Sequence, residues 1–373
     1  MNIRLMLTAL LASLLSSFPH PGEASSVMRS DADNAGVGVS EVPLADPYIL
    51  LDGDTYYAYG TNDPDGIAVW TSTDLLRWTK RATLALHKEQ TSERQWFWAP
   101  EVYRLNDRYY MFYSANEHLY VATATSPLGP FRQQGSCMTK AMLGDEKCID
   151  SSLFIDDDGQ AWLFFVRFTD GNCIWMCQLN DDYTTLRPAS LKKCINVSQS
   201  WEDRMGRVNE GPFVLKHGGI YYLTYSGNDY RSQDYAVGYA QSRTLSASTS
   251  WSKYTGNPIV RRVEDLLGTG HHSFFTDKEG RLRIVFHAHH SASEVAPRLM
   301  YIGTMEFVGN RLQLSNESII RPVDATRHPE GGLEAVHDVW RDTQPCGIFT
   351  LQGLPASSAC RSILISQGRK YVR

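Results

Sequence analysis

Three acidic residues, Asp46, Asp150 and Glu210, each open a short apolar segment of similar design: Asp46-Pro-Tyr-Ile-Leu-Leu, Asp150-Ser-Ser-Leu-Phe-Ile and Glu210-Gly-Pro-Phe-Val-Leu. Two further segments, headed by Ala99 and His271, complete the set. A lone Asp or Glu ahead of such a run would be a solvated turn residue, because acids are mostly exposed. Three that share what reads as one repeat position are instead a gathered group. Carboxyl groups held together can serve as general base and general acid, since a neighbouring like charge raises the pKa of one of them. His271 brings an imidazole to the same set. His287, His289 and His290 suggest a zinc cluster, but no Cys or acid at ligand spacing supports it.

What must position these residues is a repeat. Each copy runs from a polar lead-in through a strand, a turn of Gly, Asp or Asn, and an aromatic strand. The turns are Asp52-Gly53-Asp54, Asn106-Asp107, Asp158-Gly159, Gly218-Gly219 and Glu279-Gly280, and the second strands include Tyr56-Tyr-Ala-Tyr and Tyr109-Tyr-Met-Phe-Tyr. Alternating apolar residues around such turn formers predict β-hairpins. Each repeat spans roughly 50 to 60 residues, enough for a four-stranded propeller blade, and Ile67-Ala-Val-Trp-Thr and Leu119-Tyr-Val-Ala-Thr supply outer strands. No segment has a long helical period, which disfavours a doubly wound α/β fold. The expected fold is therefore all-β, a five-bladed β-propeller with a short C-terminal extension. In a propeller the innermost strand starts at the central channel, so Asp46, Ala99, Asp150, Glu210 and His271 are predicted to face it.

The rest of the chain bounds the function. Net charge is −5 with no basic run, which argues against nucleic acid as the partner. The 19 Tyr, 14 Phe and 9 Trp suit either sheet packing or stacking against the apolar faces of sugars. Arg4, the apolar run Leu5 to Leu15 and the small-residue site Glu23-Ala24-Ser25 read as a signal peptide over residues 1–24. The run is too short to span a bilayer, and no later segment is long and apolar enough to do so. The expected product is exported: periplasmic, at the cell surface or extracellular. A linker follows over 25–41, the propeller over 42–320 and a tail over 321–373. Of the seven cysteines, Cys173 and Cys177 would sit about 13 Å apart along one strand face, too far to bridge. Cys137 with Cys148 and Cys346 with Cys360 are candidate pairs, with buried free thiols the alternative.

The motifs Ala45-Asp-Pro, Trp98-Ala-Pro-Glu, Ile149-Asp-Ser-Ser, Asn209-Glu-Gly-Pro and Gly270-His-His-Ser, with Ser72-Thr-Asp-Leu-Leu-Arg-Trp and Ser126-Pro-Leu-Gly-Pro-Phe, resemble those of glycoside hydrolase family 43, in order, from about Val42 to Phe307. The resemblance implies a five-bladed propeller and hydrolysis with inversion. It implies Asp46 as general base, Glu210 as general acid and Asp150 as the third acid that tunes and orients Glu210. Trp98 becomes an apolar wall of the innermost sugar site, and Arg298 the late-blade arginine that contacts that sugar. His271 becomes the axial histidine that in many relatives faces a calcium ion or water; a structural calcium would then be the one metal, and no cofactor is needed for the chemistry. Inversion wants the two working carboxyls about 6.5–9.5 Å apart, with room for a water. The expected substrate is an arabinose- or xylose-containing plant oligo- or polysaccharide and the expected activity an α-L-arabinofuranosidase, with β-xylosidase and endo-arabinanase as alternatives. A retaining fructan hydrolase would want a central Arg-Asp-Pro, which is absent. A non-catalytic sugar-binding propeller would not need all three acids. The tail segments Gly347-Ile-Phe-Thr-Leu-Gln-Gly and Ile363-Leu-Ile-Ser-Gln-Gly-Arg-Lys weakly resemble the β-rich C-terminal tails of exported proteins, with a small strand pair as the alternative.

Overall fold

The computed structural model describes residues 40–326 and the backbone of two short strands, Leu364–Ser366 and Arg369–Tyr371, which pair antiparallel with each other. The expected signal peptide, most of the linker, Cys346, Cys360 and the segment from Gly347 lie outside the described residues.

Five sheets follow one another along the chain. The inner hairpins are Ala45–Asp52 with Thr55–Asp63 (blade I), Trp98–Leu105 with Arg108–Ala115 (II), Cys148–Ile155 with Ala161–Arg167 (III), Asn209–His217 with Ile220–Gly227 (IV) and Gly270–Thr276 with Leu282–Ala288 (V). Each turn falls where Gly, Asp or Asn punctuates the apolar alternation. Blade II turns through Asn106 and Asp107, both at positive φ (48° and 61°), a conformation these two residues tolerate better than most. The middle strands are buried on both faces, as in Ile220–Gly227, where every residue is buried. Each blade is packed between two others, so an aromatic strand without polar alternation is what this position demands. Helix is limited, among the described residues, to Lys140–Leu143 and three short 3₁₀ turns.

The ring closes between its ends. The Ser273 hydroxyl donates to the Pro47 carbonyl at 3.0 Å, and Met300 N–H donates to the Val42 carbonyl at 3.0 Å. The chain also stays with the propeller past residue 320, where the sequence places its end. Val323–Asp324 adds to blade I in parallel with Arg77–Lys80, and Ala325 N–H donates to the Trp78 carbonyl at 2.7 Å. The candidate disulfide between Cys137 and Cys148 is not formed: both are free thiols. Cys148 is buried at the start of the inner strand of blade III, and the Cys137 sulfur lies instead 3.4 Å from the Thr139 hydroxyl.

Every inner strand begins with a β-bulge. Pairing with the second strand slips between Ala45 and Tyr48, Trp98 and Glu101, Ile149 and Ser152, Glu210 and Phe213, and Gly270 and Ser273. At the bulge the backbone turns left-handed, with φ of 49° at Asp46, 44° at Ala99, 57° at Asp150, 54° at Gly211 and 42° at His271. A bulge re-aims the side chain it carries, here toward the channel. The repeat is thereby corrected by one residue in blade IV. Gly211, not Glu210, matches Asp46, Ala99, Asp150 and His271, and Glu210 shares the preceding position with Ala45, Trp98, Ile149 and Gly270.

Candidate active site

The bulge residues and those after them line the central channel: Asp46, Ala99, Asp150, Gly211 and His271, backed by Pro47, Ser151 and His272. Positive φ at a residue with a side chain costs on the order of 1–3 kcal/mol, and four of the five bulge residues carry one. The surrounding sheet meets that cost, and the bulge geometry aims Asp46, Asp150 and His271 at the channel.

Asp46 is ringed by Arg298, the Thr61 hydroxyl and two imidazoles. Its Oδ1 accepts from Arg298 Nη1 at 2.7 Å and lies 3.3 Å from both His271 Nδ1 and His287 Nδ1; its Oδ2 accepts from the Thr61 hydroxyl at 2.6 Å. Burial acts to raise this carboxyl, but Arg298, His271 and His287 together outweigh it and hold its pKa well below the usual carboxylate range. Burial keeps His271 below its ordinary value and brings His287 down to about 3. Near neutral pH the lasting positive charge beside Asp46 is therefore Arg298, and Asp46 is ionised.

Glu210 sits in the opposite condition. Tyr235 donates its phenol proton to Oε1 at 2.8 Å and Asn172 its amide to Oε2 at 3.0 Å. Burial, then the charge of Asp46, push its pKa up to about 7 against those hydrogen bonds. Asp150 accepts the Gly211 N–H through Oδ2 at 3.1 Å. Burial and then the charges of Glu210 and Asp46 raise it well above its ordinary value. Two carboxyls so linked release their protons as a pair.

The remaining predicted residues fall as follows. Arg298 reaches Asp46, and its guanidinium lies 4.6 Å from the Tyr230 ring centroid. Trp98, half-buried one residue before the bulge, stacks on the exposed Trp96 at 5.8 Å and 14°. His287, His289 and His290 make no metal cluster: His287 faces Asp46, His289 meets the Tyr230 carbonyl at 2.8 Å, and His290 is exposed toward Glu294. Among the described residues no three His, Cys, Asp or Glu side chains are grouped to hold a metal ion. Calcium takes six to eight oxygen ligands. Part of such a shell can be water, and His271 lines the channel wall. Asn172, Tyr235 and Thr61 are functional neighbours that sequence reasoning missed.

An all-β propeller whose channel sets the ionised Asp46 against the raised pair Asp150 and Glu210 is the arrangement of an acid–base hydrolase of glycosidic bonds. The chain belongs to glycosyl hydrolases family 43, whose description matches residues 38–310, and whose members hydrolyse glycosidic bonds with inversion. It is similar to an extracellular exo-α-(1→5)-L-arabinofuranosidase of Cellvibrio japonicus, 26% identical over 70% of this chain and 83% of that one. An extracellular endo-α-(1→5)-L-arabinanase of Bacillus subtilis is 26% identical over 64% of this chain and 73% of its own. Among solved structures, an endo-1,4-β-xylanase of Bacteroides thetaiotaomicron superposes with a TM-score of 0.72 at 42% identity, covering 77% of this chain and 98% of that one. The family's chemistry needs no cofactor. Among the described residues no helix is long and apolar enough to cross a membrane.

Proposed function

We propose that this chain is an exported α-L-arabinofuranosidase in which Asp46 is the general base, Glu210 the general acid and Asp150 the residue that holds the acid in place. The observation that carries the role assignment is the opposed state of two carboxyls in one channel: Asp46 held well below the usual range, Glu210 raised to about 7. The Asp46 carboxylate takes a proton from a water as that water attacks the anomeric carbon. Glu210 gives its proton to the glycosidic oxygen as the bond from that oxygen to the anomeric carbon breaks. Tyr235 and Asn172 fix the Glu210 carboxyl, Arg298 keeps Asp46 ionised and contacts the sugar, and Trp98 supplies an apolar wall. No step requires a metal.

Arabinan is favoured by the curated relatives, named as α-(1→5)-L-arabinofuranosidases and an α-(1→5)-L-arabinanase, and export by the word extracellular in those names. A second reading, action on xylan, is favoured by the 42% identical structure described as an endo-1,4-β-xylanase. Release of 4-nitrophenol from the α-L-arabinofuranoside and the β-D-xylopyranoside, followed by sugar release from arabinan and xylan, tests both. We expect the arabinofuranoside and arabinan to be cleaved faster. Faster cleavage of the xyloside and xylan transfers the assignment to the second reading, and no hydrolysis of any of them removes it.

A further inference from the structure

Each bulge presents a backbone N–H that must find an acceptor in a buried wall. In four blades the acceptor comes from one position, on the second strand of the preceding blade. Thr61 Oγ1 accepts from Ala99 at 3.0 Å, Ser114 Oγ from Asp150 at 2.9 Å, Ser226 Oγ from His271 at 2.8 Å and His287 Nδ1 from Asp46 at 3.2 Å. The positions correspond because each pairs with the residue before a bulge: Thr61 with Ala45, Ser114 with Trp98, Ser226 with Glu210 and His287 with Gly270. In blade III that place is held by Val166, opposite Ile149. Valine has no polar atom, and Val166 is fully buried among Ile149, Phe164 and Ile174. The N–H it leaves is that of Gly211, and Asp150 Oδ2 accepts it directly at 3.1 Å.

Blade I shows what a hydroxyl does at this place. Thr61 accepts from Ala99 N–H and donates to Asp46 Oδ2 at 2.6 Å, so it stands between the aspartate of its own blade and the backbone of the next. With no such hydroxyl in blade III, the carboxyl itself spans the gap and binds the residue that follows Glu210.

We propose that Val166 is a positioning residue: by withholding the acceptor that its four counterparts present, it leaves the Gly211 N–H to Asp150 and so ties Asp150 to the strand that carries Glu210. The catalytic half of this inference rests on Glu210 being the acid; the exchange of acceptors does not. Val166→Thr adds a hydroxyl at nearly the same side-chain volume, and Val166→Ser places there the residue used by blades II and IV.

The test is a thermal cycle of the parent, Val166→Thr, Asp150→Ala and the double variant. Asp150→Ala strips the buried Gly211 N–H of its acceptor. Val166→Thr then restores one, and is expected to raise Tm by about 2 °C in that background with no rise in the parent, where the N–H is already satisfied. The same Tm change in both backgrounds overturns the proposal. In kinetics, Val166→Thr inserts its hydroxyl between Asp150 and Gly211. It is expected to lower kcat about tenfold on substrates with poor leaving groups, with KM and the rate on good leaving groups nearly unchanged. Val166→Ala, which removes volume and adds no acceptor, should not show this split. Val166→Thr and Val166→Ser variants that respond like Val166→Ala overturn the catalytic half. Glu210→Gln on the same substrates reports separately on the acid assignment: if it shows no dependence on the leaving group, that assignment falls while the thermal cycle still decides the role of Val166.

Discussion

Blades I and III present the same residue at the same bulge to the same channel, yet hold it in opposite electrostatic states. Asp46 meets Arg298 at 2.7 Å, the Thr61 hydroxyl at 2.6 Å and two imidazoles at 3.3 Å. Its carboxyl is held well below the usual range. Asp150 accepts one backbone N–H and faces the charges of Glu210 and Asp46, and it is raised. The repeat therefore sets where the carboxyls stand, and the other blades set what they are. Arg298 and both histidines beside Asp46 come from blade V and the loop inside it. In an inverting hydrolase this asymmetry separates the base from the acid side of the channel.

The sharpest way to break the contrast is to neutralise its charged side. Asp46→Asn should lower kcat by about 10⁴-fold, equally for good and poor leaving groups, because water activation is lost whatever departs. Added azide, entering in place of the water, should recover part of the rate. A folded Asp46→Asn enzyme with near-parent activity would end the base assignment. On the neutral side, Glu210→Gln should cost about 10²-fold or more on natural linkages and much less on aryl glycosides whose leaving groups need little protonation. The parent pH profile should lose activity as pH rises through about 7, where Glu210 gives up its proton. It should hold down to well below the ordinary carboxylate range, since Asp46 is the group that must stay ionised. An alkaline limb far from 7 would detach it from Glu210.

Asp150 sharpens the comparison further. The sequence assigns it the raising of Glu210 by like charge. In the structure Glu210 is raised first by burial and then by Asp46, while Asp150 is itself raised by burial and by Glu210. The direction of that shift favours the uncharged form of Asp150, which carries no charge to remove. Asp150→Asn should therefore lower kcat about tenfold through looser positioning and leave the alkaline limb near pH 7. A limb displaced to lower pH would show that Asp150 is charged there and does tune the acid.

The hairpins were legible because turn residues and apolar alternation are local signals, and the five-fold repeat multiplies them. The acids were legible for the same reason, with one slip. Matching acid to acid aligns Glu210 with Asp46, although Pro47, Pro100 and Pro212 align Asp46, Ala99 and Gly211 instead. Only glycine takes the left-handed backbone freely, and a β-carbon on Gly211 would lie 3.3 Å from the His271 ring. Tyr235, Asn172 and Thr61 were not legible. Their bonds to the carboxyls depend on how loops and second strands fall around the channel, and a Tyr, Asn or Thr alone carries no mark of that. Val166 is the extreme case, since its role is visible only beside four counterparts that differ from it.

The smallest expected effect concerns a carboxyl outside the catalytic set. Glu101 follows the bulge of blade II in the channel wall and is buried, with the Tyr103 hydroxyl donating to it. Burial, opposed by hydrogen bonds from Tyr103 and Ser152, raises its pKa from 4.5 to about 8. It thus resembles the Glu210 side of the channel rather than the Asp46 side. Between about 4.5 and 8 the folded chain keeps this proton while the unfolded chain releases it. The unfolded state then binds fewer protons, and stability falls as pH rises through that window. Glu101→Gln keeps the shape and an acceptor for Tyr103 but removes the titration. Its Tm should exceed that of the parent by about 3 °C at pH 8 and by almost nothing at pH 4, below the window, where Glu101 is largely neutral in the folded and the unfolded chain alike. Equal differences at the two pH values would mean that Glu101 is already ionised in the folded channel, and that a carboxylate there is held by more than the Tyr103 and Ser152 hydroxyls.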